Sequence, residues 1–148
     1  MTTDAPQESP TTTALDQLIQ VAGAVEPAVA RRAGLSTSEL QAMRHLVGGS
    51  CGPVELSHLL GVTSAASSGV VDRLAARGHV ERRPHPDDGR RTRVEVTPSG
   101  RAEIEALMRP VLERLADAEA GLDEQERAVV RRYLDSATST LREVLQTY

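Results

Sequence analysis

The sequence predicts a mainly α-helical fold carrying one small two-stranded β hairpin, and three observations predict it. Apolar residues recur at intervals of three and four over most of the 148 residues, the spacing of amphipathic helices. Two short apolar-faced segments within residues 52 to 78 are separated by little more than Gly61, so two short helices meet at a tight turn. After Gly78, HVERR and RTRVEVT alternate and carry β-branched residues, with PHPDDGR between them, as strands flanking a Pro- and Gly-bearing tip do.

Taken in order, residues 1–12 are Thr, Pro and acidic residues without periodicity and read as a disordered N-terminal tail. Thr13 followed by Asp16 looks like a capped helix start, and Leu15, Leu18, Ile19, Ala22 and Val25 share one apolar face. Pro27 lies inside that pattern and predicts a kink or a break. Ser36 and Glu39 have capping-box spacing ahead of Leu40, Met43 and Val47, and Gly48-Gly49 stops that helix. Pro53 suits the first turn of a short helix with Val54, Leu56, Leu59 and Leu60 inward, which Gly61 ends. Thr63 or Ser64 caps the next helix, whose apolar face is Val70, Val71 and Leu74.

Thr97-Pro98 opens a long helix in which Ile104, Met108, Val111, Leu115, Ala118 and Leu122 are spaced by four and three. Asp123 with Glu126 opens another, with Val130, Leu134, Ala137, Leu141, Val144 and Tyr148 on the same spacing. Seams of this kind can pack within one chain or between two. The small module preceding them offers too little surface to cover both, so the expectation is a homodimer. The sequence thus divides into a tail (1–12), an N-terminal dimerisation helix (13–34), a helix-turn-helix with a two-stranded wing (35–100) and C-terminal dimerisation helices (101–148).

Composition sets limits on function. With 39% hydrophobic residues the chain can bury one core, and it reads as one domain or one intertwined subunit. Phe and Trp are absent and there are two Tyr, so the core is aliphatic. No apolar run reaches the roughly 20 residues that span a bilayer. The polar start MTTDAPQESPTTT lacks the regions of a signal peptide, so a cytoplasmic protein without a membrane partner is expected. Cys51 is the one cysteine and the four His have no ligand spacing, which points to no disulfide and no metal site. No phosphate-cradling loop, nucleophile motif or acid pair is recognisable, so neither a catalytic residue nor a cofactor is expected.

Charge is what the composition leaves to explain. The net charge is −4, yet residues 63–101 hold eight of the 17 basic residues, all Arg, against five acids. Five of these arginines fall between residues 82 and 97. A basic third of an acidic chain is where a polyanion binds, and Arg suits phosphate and guanine. A winged helix-turn-helix is shaped for duplex DNA: a helix of short side chains enters the major groove while a thin basic hairpin reaches the neighbouring minor groove. On the helix, Thr63, Ser64, Ser67 and Ser68 offer hydroxyls, and Ala65 could touch thymine methyls. Arg90 is the first candidate at the wing tip, with Asp88 placed to hold its guanidinium and Arg91 beside it. Arg73 either reaches phosphate or pairs with acids, and at most one of Arg82 and Arg83, on opposite strand faces, meets DNA.

The stretch DDGRRTRVEVTPSG resembles the wing of the MarR family of bacterial transcription regulators: Asp88, Arg90, Thr97 and Gly100 fall on the family pattern, with Val96 in place of the usual Leu. VVDRLAARGHVERRPHPDD is similar to the family's recognition-helix end and first wing strand, and the resemblance covers roughly residues 14–148. It implies insertion of Arg90 into the minor groove, dimerisation through the N- and C-terminal helices, and a palindromic operator. It also implies a repressor whose DNA affinity a small, lipophilic effector changes. Met43, His45 and Met108 are weak candidates for that ligand's neighbours. Two rival readings are a thiol-based redox regulator through Cys51 and a winged-helix protein-interaction module.

Overall fold

The computed structural model describes residues 9–147. Helix α1 runs Pro10–Ala33, α2 Thr37–Gly48, α3 Pro53–Leu60 and α4 Ser64–Ala76; strands β1 (Val80–His85) and β2 (Asp88–Val96) follow, then α5 (Pro98–Glu119) and α6 (Glu124–Thr147). The chain divides into two units, up to Met108 and from Arg109 onward, and the division falls within α5. Of the expected tail, residues 1–8 lie outside the described residues. Pro10–Thr12 are already helical, because Ser9 rather than Thr13 caps α1, its Oγ accepting the Thr12 N–H at 3.1 Å. The helix also continues through Pro27 to Ala33, so the expected break is not there.

The first unit is built on α2. Its capping box is complete, with Ser36 Oγ accepting the Glu39 N–H and Glu39 Oε2 accepting the Ser36 N–H at 2.7 Å. Leu40, Met43 and Leu46 project from it into an aliphatic core shared with Leu56 of α3, Val70, Val71 and Leu74 of α4, Val80 and Val94 of the hairpin, and Ile104 of α5. Gly61 turns α3 into α4 at φ +62°, the left-handed region that glycine enters without steric cost. The hairpin is antiparallel, with Val80 opposite Val96 and Arg83 opposite Arg93; the register slips between Pro84 and His85, so that His85 faces Asp88. Both backbone hydrogen bonds of an isolated bridge join Cys51 to Val94, which fixes the loop before α3 to β2.

Thr97 connects the hairpin to α5. Its hydroxyl donates to the carbonyl of Gly78 at 2.6 Å while its oxygen accepts the Gly100 N–H at 3.0 Å, so one side chain caps α5 and holds the turn after α4. Ile104 is buried, and Leu107 and Met108 pack against the core. These first turns of the expected α5 seam therefore serve the first unit's core.

In the second unit, Asp123 and Glu126 form the capping box that opens α6. No residue of α6 is buried, and Leu134, Leu141 and Val144 are between 40% and 46% exposed. Tyr148, the last position of the expected seam, lies outside the described residues. No helix among the described residues is long and apolar enough to cross a membrane.

Candidate nucleic-acid interface

Helix α4 presents its first turn to solvent. Thr63 is the N-cap, its Oγ1 accepting the Ala66 N–H at 3.2 Å, and Thr63, Ser64, Ala65 and Ser68 are exposed. Ser67 is not part of this surface. It is 1% exposed, faces the core with Val70 and Val71, and its hydroxyl has no hydrogen-bond partner among the described residues. The reason is helical periodicity, which puts residue 67 on the same face as residues 70, 71 and 74.

The arginines separate into paired and unpaired groups. Arg73 Nε donates to Glu39 Oε1 at 2.6 Å, an ion pair in which the Arg73 side chain stays 58% exposed. Arg77 donates to the carbonyls of Gly34 and Ala33 at the end of α1. Arg82 pairs with Asp72 of α4 at 2.8 Å, and on the opposite hairpin face Arg83 and Arg93 share Glu81 and Glu95. Arg90 and Arg91 are exposed at the tip, and neither guanidinium has an ion-pair or hydrogen-bond partner among the described residues. Asp88 does not hold the Arg90 guanidinium as expected. Its Oδ1 accepts the backbone N–H of Arg90 at 3.1 Å, which shapes the turn and leaves the side chain outward.

Glu39 was legible in the sequence only as a cap. Burial raises its carboxyl pKa, but the Ser36 N–H and the hydrogen bond and charge of Arg73 outweigh that and hold it below the usual carboxylate value. The signal available was an acid on the core face of α2 and an Arg on α4, with nothing in their spacing of 34 residues to connect them.

Two of the candidate ligand neighbours belong to the core, and the third stands in solvent. Met43 is fully buried within the core and Met108 is partly buried against it, as Met at helical spacing usually is. His45 is exposed and borders a hollow of about 340 Å³ with Glu26, Gln41, Arg44 and Leu59. A larger groove of about 740 Å³ lies between the start of α3 and the hairpin, with Cys51, His58, His85 and Arg91 among its lining. Cys51 is buried, and desolvation, with a contribution from the nearby Glu55 charge, pushes its thiol pKa up. That is the opposite of what a reactive thiolate needs. Among the described residues no group of His, Cys, Asp and Glu could hold a metal ion.

Residues 33–91 match the model of the MarR family. An uncharacterized HTH-type transcriptional regulator of Mycobacterium bovis is 35% identical over 103 residues, spanning 56% of this chain and 72% of its own length. Among solved structures, apo wild-type MarR from E. coli superposes with a TM-score of 0.65 at 24% identity, covering 87% of this chain and 96% of that one. Bordetella bronchiseptica BpsR, described by a mechanism for regulation of its DNA binding by 6-hydroxynicotinic acid, superposes with a TM-score of 0.59 at 24% identity, covering 91% and 97%.

Proposed function

The chain belongs to the MarR family of transcriptional regulators, and from that premise we propose that it is a homodimeric, sequence-specific repressor that grips a palindromic operator and is released by a small molecule. The observation that carries the DNA-binding reading is the sorting of arginines: those of α4 and of the hairpin body are engaged by acids or carbonyls, while Arg90 and Arg91 at the tip are not. An arginine held by a carboxylate has already lost much of its attraction for phosphate, so Arg90 and Arg91 are the hairpin guanidiniums left without a protein partner to meet it. Thr63, Ser64, Ala65 and Ser68 are the proposed contacts in the major groove, Arg90 that of the minor groove, and Arg91 a phosphate neighbour.

Dimerisation is supported by the apolar residues that α6 leaves exposed, Val130, Leu134, Leu141 and Val144, because a seam of this size left in water is the mark of an interface. A two-fold dimer sets two recognition helices roughly 34 Å apart, one turn of B-DNA, and a palindrome answers to that symmetry. Ligand response is supported by the solved relative whose DNA binding is regulated by 6-hydroxynicotinic acid. The thiol-sensor alternative loses support from the burial and raised pKa of Cys51. The test is retention of genomic fragments by the purified protein across a salt series. Steep loss of affinity with salt, on fragments that share a palindrome, is expected; retention without salt dependence or sequence preference overturns the reading.

A further inference from the structure

Helix α4 is braced on both flanks by ion pairs. On one side Asp72 meets Arg82 of β1. On the other, Arg73 reaches the carboxylate of Glu39, whose second oxygen accepts the N–H of Ser36, the N-cap of α2. One turn further on, Arg77 donates to the carbonyls of Gly34 at 2.7 Å and Ala33 at 3.3 Å, groups that the end of α1 leaves without helical partners. Residues 33–36, the corner between α1 and α2, are thus held by Arg73 of α4 and by Arg77, the residue that caps its end, through a single buried acid and two carbonyls.

The core contacts of α4 set its tilt less sharply. They come from Val70, Val71 and Leu74 against other aliphatic side chains, and such contacts carry no preferred direction. The neighbouring positions Ala65, Ala66, Gly69, Ala75 and Ala76 add little bulk. Charge-assisted hydrogen bonds are short and directional. The Arg73 guanidinium lies back over its own helix, so that a Cβ at Gly69 would sit 3.4 Å from its Nη1. The side chain therefore runs from α4 to Glu39 along a defined path.

We propose that Glu39 is a positioning residue for DNA recognition: by clamping Arg73 to the N-cap of α2, beside the Arg77 tie to the end of α1, it fixes the tilt at which α4 meets the major groove. The inference rests on the DNA-binding reading above. It gives Arg73 a role different from phosphate contact, and the two roles leave different marks. A phosphate contact releases counterions, so its loss lowers the slope of log affinity against log salt by about one. Loss of a brace lowers affinity and leaves the slope in place.

The experiment uses the full chain and a duplex selected by the wild-type protein from a random-sequence pool, with affinity measured across a salt series for Glu39→Ala, Arg73→Ala, the double variant and Glu39→Gln. Glu39→Ala and Arg73→Ala are each expected to weaken binding by about 10-fold or more with unchanged slope, and the double variant no further than either single one. Glu39→Gln keeps one oxygen, enough for the Ser36 N–H or for Arg73 but not for both, and loses the charge, so it is expected to weaken binding by a smaller factor, about 3-fold or more, at unchanged slope. Circular dichroism confirms folding, and Glu39→Gln with Arg73→Lys carries the comparison if an alanine variant unfolds: Arg73→Lys is then expected to lose affinity at constant slope. A slope reduced by one in the Arg73 variants, losses that multiply in the double variant, or unchanged affinity in the single variants overturns the inference. Arg90→Ala run alongside is expected to reduce the slope. If the wild-type protein selects no duplex, the DNA-binding reading falls first, and the positioning role with it.

Discussion

Gly100, in the first turn of α5, lies so close to His79 that a Cβ built on it would overlap the His79 carbonyl. The same carbonyl accepts the Thr97 N–H at 3.0 Å, so the backbone of α5 is drawn against the turn after α4 and only a residue without a side chain fits between them. Gly100→Ala is therefore expected to destabilise the first unit by about 2 kcal/mol or more, since neither backbone can move without losing the Thr97 bonds. Thermal unfolding measures it; a midpoint equal to wild type would show that α5 and the turn after α4 leave room for a methyl group.

Arg90 offers the opposite profile. Its guanidinium is exposed and unpaired among the described residues, so Arg90→Ala leaves the unfolding midpoint unchanged. Affinity for the selected duplex is expected to fall by about 10-fold or more, and the salt slope by about one. Equal affinity at low and high salt would remove the hairpin tip from the interface.

Ser67 has a buried hydroxyl with no partner among the described residues. A polar group in that position costs free energy relative to a methyl group of similar size, so Ser67→Ala is expected to raise stability by roughly 1 kcal/mol and leave DNA affinity within about 2-fold. Denaturant melts and duplex titrations check both halves. A loss of affinity without loss of stability would return Ser67 to the recognition surface.

The pH dependence of folding follows from Glu39. Its folded pKa lies below the ordinary value of 4.5 because the Ser36 N–H and Arg73 overcome the cost of burial. A carboxyl depressed in the folded state binds its proton more readily when unfolded, so its contribution is complete above pH 4.5 and is lost as the pH falls through the lower, folded pKa. In acid melts Glu39→Gln is expected to lose less stability than wild type between these two values. Parallel curves for the two proteins would mean that Arg73 does not hold the carboxylate in solution.

Apart from the start of α1, which Ser9 caps in place of Thr13, the helices, their caps and the hairpin were legible because each is written locally: Ser36 with Glu39, Pro53 with Gly61, Thr97-Pro98, and Asp123 with Glu126 all act over a few residues. Arg90 was legible as well, standing at a hairpin tip where any side chain is exposed. Failures came where a group's partner is not the one its neighbours suggest. Nothing local in residues 36–39 announces Arg73, and Asp88 and Arg90 are adjacent enough to suggest an ion pair although the carboxylate takes the backbone instead. Ser67 was misplaced because its chemistry suits DNA while its helical phase suits the core. Local chemistry proposes contacts, and helical phase together with long-range pairing decides which of them reach the surface.

The apolar seam of α6 can be tested without disturbing the first unit, because α6 buries no residue within the chain. Leu134→Glu combined with Leu141→Glu puts two charges on a surface 40% and 46% exposed, respectively, in the single chain. In a monomer these substitutions cost little; across a dimer seam they bury unpaired charge, which association cannot offset. Sedimentation is therefore expected to shift from dimer to monomer while helical circular dichroism is kept. Duplex affinity is expected to fall by about 100-fold or more as binding through two linked half-sites becomes binding through one. A double variant that still sediments as a dimer would place the interface elsewhere, and one that is monomeric yet binds the palindrome as tightly as wild type would show that a single subunit suffices for recognition.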